Sequence, residues 1–100
     1  MGGVGRLTHW QLRTSPQFDR AARRLDRAVL RRLKAYLEGV CQLDDPRQRG
    51  KGLSGDLGEY WRYRIGDWRV IAEIRDDELV IIAVGLGHRS TIYRDRTLPQ

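Results

Sequence analysis

The spacing of apolar residues changes once along this chain, and the change divides it into a helical half and a stranded half. Phe18, Ala22, Leu25, Val29, Leu33, Tyr36, Leu37 and Val40 follow one another mostly at steps of three and four. That spacing lines them up on one side of a helix. From Gly58 onward the step becomes two, the repeat of strands with one buried face.

Local signals set the limits of these elements. Ser15 before Pro16 is a helix start: the hydroxyl accepts from free amides and proline suits the first turn. Asp26 is placed to cap a second helix, so the stripe reads as a helical hairpin broken near Leu25-Asp26. Asp44, Asp45 and Pro46 end it. Leu7 to Thr14 reads as a strand before the hairpin. Arg47 to Asp56, with Gly50, Gly52 and Gly55 among three cations, reads as a loop.

Three strands fit the remainder, at about 59–66, 67–75 and 78–87. Gly66-Asp67 suits a two-residue type II′ turn. Such a turn fixes register: Ile65 faces Trp68, and Arg64 faces Arg69. Asp76-Asp77 is read as the next turn, which sets Arg75 opposite Glu78 and Arg69 beside Val84. The expected fold is α/β in the α+β sense: a two-helix hairpin packed on a mostly antiparallel sheet of about four strands. One domain is expected over residues 1–100, with 1–6 a flexible tail.

Alternation sorts the faces. Trp61, Tyr63, Ile65, Trp68, Val70, Ala72 and Ile74 share an apolar face suited to the helices. Arg62, Arg64, Arg69, Ile71 and Glu73 share the other. The last strand is apolar on both sides, as central strands are, so the second face is expected to be a shallow concavity with an apolar floor and an arginine rim.

Composition narrows the function. A chain of 100 residues holds one core, and its net charge of +6 favours polyanions. The helical segment carries Arg20, Arg23, Arg24, Arg27, Arg31, Arg32 and Lys34, either a solvated face or a nucleic-acid surface. A single cysteine, Cys41, excludes an intrachain disulfide. No apolar run is long enough to cross a membrane, and the simplest location is the cytoplasm. His9, His88 and Cys41 lack metal-ligand spacing. The glycines do not form a phosphate loop, so no cofactor or metal is expected.

What remains is a cationic group: Lys51, Arg62, Arg64, Arg69, His88, Arg89 and Tyr93. Two arginines directly opposite each other weaken a sheet unless an anion lies between them. RNA supplies both the anion and its own nucleophile, the 2′-hydroxyl. Fixed guanidiniums stabilise charge on phosphoryl oxygens. Tyr93 is either a proton carrier, its phenolate favoured by nearby arginines, or a stacking surface. His88 is either catalytic or a loop residue packed on Tyr93.

Several segments together resemble the RelE/ParE superfamily of bacterial toxins, on the RelE side. They are Ser-Pro-Gln-Phe-Asp at 15–19, Asp-Pro-Arg at 45–47 and Gly-Lys-Gly-Leu-Ser-Gly at 50–55. Tyr-Trp-Arg-Tyr-Arg-Ile-Gly-Asp-Trp-Arg-Val-Ile at 60–71 and Gly-His-Arg-Ser-Thr-Ile-Tyr-Arg at 87–94 complete the set. The resemblance implies a type II toxin that cuts mRNA in the ribosomal A site, and a RelB-like antitoxin that covers the site. It implies catalytic roles for Arg62, Arg64, Arg69, Arg89 and Tyr93, with His88 a rival to Arg89. Arg49, Lys51, His88 and Arg94 are expected to contact RNA. The same superfamily holds ParE-type toxins, which share the fold and act on DNA gyrase without cutting RNA. A binding module without activity is the third alternative.

Overall fold

The computed structural model describes residues 10–54 and 58–89. The order is β1 (Gln11–Thr14), α1 (Pro16–Ala22), α2 (Arg27–Cys41), β2 (Lys51–Gly52), β3 (Tyr60–Ile65), β4 (Trp68–Arg75) and β5 (Val80–His88). A short 3₁₀ turn, Pro46–Gln48, stands between α2 and β2. The expected strand start at 7–9 and the tail at 1–6 lie outside the described residues.

Both helices begin where the caps placed them. The Ser15 side chain accepts a hydrogen bond from the Phe18 amide at 3.0 Å, with Pro16 in the first turn. Asp26 Oδ1 accepts from the Val29 amide at 2.9 Å. Ser15 also ties α1 to the sheet, its amide donating to the Ala83 carbonyl at 2.9 Å and its hydroxyl to the Val84 carbonyl at 3.3 Å.

The strands form one sheet in the order β1-β5-β4-β3-β2. Only β1 runs parallel to its neighbour, β5; the other pairings are antiparallel. The helices cover one face. Phe18, Leu33, Leu37, Val40 and Cys41 are buried there against Tyr63, Ile65, Val70, Ala72, Ile81 and Ala83. The apolar stripe and the alternating strands therefore meet as the sequence predicts.

Tyr63 is fully buried in this core and donates its hydroxyl to the Pro46 carbonyl at 2.7 Å. Burial, with Tyr36 alongside, pushes its phenol above the usual range, so Tyr63 stays protonated and structural.

The β3–β4 turn forms as expected. Gly66 takes φ of +61°, and the pairs Ile65–Trp68 and Arg64–Arg69 are the Cα partners. The β4–β5 connection corrects the sequence reading. Arg75 pairs with Val80, not Glu78, because Asp76 to Leu79 all lie in the turn. The turn closes with Leu79 at φ of +54°, a cost offset by packing its side chain on the core. Arg75 still meets Glu78, at 3.5 Å, but within the turn.

A bulge between Ile71 and Ala72 adds a further shift, and Arg69 consequently faces Gly87 instead of Val84. The loop expected over 47–56 also contributes an extra edge strand, β2. Gly50 makes this docking feasible. Its φ is +81°, and a Cβ there would stand 2.3 Å from the Arg62 carbonyl oxygen.

Candidate nucleic-acid interface

The face of the sheet opposite the helices can be read as rows of residues crossing the strands. One row is Lys51 on β2, Arg62 on β3, Ile71 on β4 and Gly85 on β5. The next, towards the β3–β4 turn, is Arg64, Arg69 and Gly87. On the other side lies Tyr60, Glu73, Ile82 and Arg13. Neighbouring strands are about 4.8 Å apart, so the first row spans about 14 Å.

Four cations thus occupy two adjacent rows, and β5 offers only glycine in both. Neither glycine places a side chain beside Ile71 or Arg69; Gly85 is buried and Gly87 half-buried. Ile71 is buried against Leu53, Tyr60 and Val84, which form the apolar floor. The expected cationic group and apolar patch therefore share one face of the sheet.

The two facing arginines are held differently. Arg64 is exposed. Arg69 is only 7% exposed, and its Nη1 donates to the Gly66 carbonyl at 2.9 Å and the Trp68 carbonyl at 3.0 Å. Bending onto the turn gives it two main-chain dipoles. It acquires no counter-charge: among the described residues, the ion pairs are Arg47 with Asp45 and Asp76, Arg75 with Glu73 and Glu78, and Arg89 with Asp67. A buried cation neutralised only by carbonyls is expensive in a fold without a bound anion.

Arg89 adjoins the same turn. Its amide donates to the Asp67 carbonyl at 2.8 Å, and its Nε lies 3.8 Å from the Asp67 carboxylate, both side chains well exposed. The structure thus gathers Lys51, Arg62, Arg64 and Arg69 on one face, with Arg89 at its turn end.

Two other residues from the sequence reading go elsewhere. His88 follows Gly87 by one position, so alternation turns it to the helix side, where its ring meets Trp68 edge-on at 5.4 Å. Arg49 also lies on the helix side, 5.5 Å above the Tyr36 ring, while its carbonyl accepts from Trp61 Nε1 at 2.7 Å. Tyr93 and Arg94 lie outside the described residues.

Gly85 and Gly87 were not singled out from the sequence as shapers of the site. Their signal was present: glycine at alternate positions of a strand marks close approach to its backbone. Among the described residues no group of three potential metal ligands comes together, and no helix is long and apolar enough to cross a membrane.

The sequence matches the family described as ParE toxin of type II toxin-antitoxin system, parDE, over residues 12–93. The chain belongs to this toxin family. Among solved structures, the toxin–antitoxin complex RelBE2 from Mycobacterium tuberculosis is similar at 20% identity and a TM-score of 0.76, covering 84% of this chain and 95% of that one. The RelE–RelB complex from Pyrococcus horikoshii shares 25% identity with a TM-score of 0.65, over 83% and 98% of the two chains. The isolated Escherichia coli RelE toxin gives 22% and 0.66, over 85% and 92%. No curated protein sequence matches the chain. The toxin accordingly has the RelE fold: two helices on a five-stranded, mostly antiparallel open sheet.

Proposed function

We propose that this toxin is a ribosome-dependent endoribonuclease that cleaves mRNA in the A site and so stops translation. The observation that carries this reading is Arg69, a buried cation without a carboxylate partner among the described residues, facing Arg64 and flanked by Gly87. A phosphate on this face relieves the repulsion between Arg64 and Arg69 and supplies the missing counter-charge.

In the proposed reaction the 2′-hydroxyl oxygen attacks the adjacent phosphorus in line with the departing 5′ oxygen. The O2′–P bond forms as the P–O5′ bond breaks, leaving a 2′,3′-cyclic phosphate and a 5′-hydroxyl. The 2′ proton leaves to a base, and a proton reaches the 5′ oxygen. Arg64 and Arg69 stabilise the phosphoryl oxygens, while Arg62 with Lys51 hold the neighbouring backbone and Arg89 closes the turn end. Tyr93 is assigned the positioning or activation of the 2′-hydroxyl. Without a strong built-in base, rate comes from strand placement, which the A site supplies. The toxin then acts in the cytoplasm, where ribosomes translate.

A RelB-like antitoxin is the proposed partner, because two of the similar structures are toxins held by RelB proteins. Acidic side chains over the cation rows would neutralise the site and compete with RNA.

The match to the ParE family favours a second reading, inhibition of DNA gyrase without RNA cleavage. Mapping mRNA 5′ ends after induction, beside a gyrase supercoiling assay, separates the two. New ends within translated codons support the nuclease. Intact message together with lost supercoiling contradicts it and supports the gyrase reading.

A further inference from the structure

We infer that the nucleic-acid path continues beyond the sheet face, round the β3–β4 turn and onto α2, with Arg32 as the bridging contact. This rests on the nucleic-acid reading above and extends it to a surface which that reading leaves unused.

The turn is flanked by guanidiniums from three elements. Arg69 grips the Gly66 carbonyl from β4, and Arg89 stands at Asp67 from the end of β5. Arg32 approaches from α2, its Nη2 only 2.9 Å from where a Cβ on Gly66 would lie. Arg32 is exposed, as are Arg27 and Arg31 on the same helix. The cations of the sheet and of the helix therefore meet at one point, with a glycine between them.

The helix keeps these charges against its own interest. Arg27 opens α2 and no acidic residue occupies its first turn, so a cation sits at the positive end of the helix dipole. Arg27 and Arg31, four residues apart, repel each other. The sole carboxylate between residues 20 and 34 is Asp26, whose oxygen already accepts from the Val29 amide. Among the described residues none of Arg27, Arg31 and Arg32 has an ion-pair partner. An external polyanion provides what the fold withholds. The fitting occupant is a single RNA strand leaving the sheet face, since its backbone can bend round the turn and guanidiniums bind successive phosphates.

The test measures binding of fluorescein-labelled single-stranded RNA by anisotropy, with oligonucleotides of about four and about twelve nucleotides. Arg32→Ala and Arg31→Ala should each weaken the longer RNA several-fold and lower its salt slope by about 0.7. The shorter RNA, held on the sheet face alone, should bind as to wild type. Arg32→Lys should restore the salt slope, and melting curves should overlay.

Unchanged binding of the longer RNA by both alanine variants, with Arg64→Ala still weakening it, overturns the inference and spares the nuclease reading. Failure of wild type to bind either RNA also overturns the inference, while the nuclease reading stands or falls on the mapped mRNA ends. Unchanged RNA affinity with weakened antitoxin binding also overturns the inference, assigning the surface to a protein contact.

Discussion

The two faces of the sheet are built from the same strands, one residue out of step, and they obey opposite rules. On the covered face Tyr63, Ile65, Val70 and Ala72 pack under the helices. On the open face Arg62, Arg64 and Arg69 alternate with them, two arginines directly opposed. The first face removes apolar area from water and closes its polar account, as Tyr63 does on Pro46. The second accepts like-charge repulsion, a buried guanidinium and glycines that contribute no packing. If the proposed function holds, stability and chemistry are separated by a single step along a strand, and substitutions on the two faces should differ in kind.

The sharpest stability loss is expected on the covered face. Ile81 is fully buried there, and Ile81→Ala should cost about 2–5 kcal/mol in a denaturant titration. A loss under about 1 kcal/mol would mean the face is not the core described. Tyr63→Phe should come next, at about 1–3 kcal/mol, because it leaves the Pro46 carbonyl buried without its donor. Equal stability of this variant would show that the bond contributes nothing.

The open face should answer with the other sign. Arg64→Glu replaces a repulsive pair with an attractive one, so stability should rise by up to about 1 kcal/mol. Clear destabilisation would show that Arg64 serves the fold.

The smallest effect lies at the far end of the sheet, where Arg47 donates to both oxygens of Asp76 at 2.9 and 2.8 Å. That pairing holds the Asp76 carboxyl below the usual carboxylate range. The stabilisation is therefore fully present above the unfolded value and is lost as acid protonates Asp76 through its lower folded value. Both groups are substantially exposed, so the increment should stay under about 1 kcal/mol. Arg47→Ala should flatten this part of the stability–pH curve; an unchanged curve would show the pair is inert.

Legibility in the sequence followed the range of the forces involved. Caps at Ser15 and Asp26 and the Gly66 turn act over a few residues, and each formed where expected. The turn alone placed Arg64 opposite Arg69 and separated the two faces. The β4–β5 register depended on Leu79 adopting positive φ and on a bulge at Ile71/Ala72, both arising from packing between distant segments. Hence Val84 was expected where Gly87 stands. β2, two residues long, is too short for periodicity and exists because Gly50 can approach the Arg62 carbonyl. His88 and Arg49 carry suitable chemistry in the sequence, but alternation and the Tyr36 ring take them to the covered side.

The most direct test of the account is single-turnover cleavage of ribosome-bound mRNA by wild type and Arg64→Ala, each melted from the same preparation. The account predicts a rate lower by about a hundred- to a thousandfold with an unchanged or higher melting temperature. Equal rates, or no cleavage by folded wild type, would contradict it.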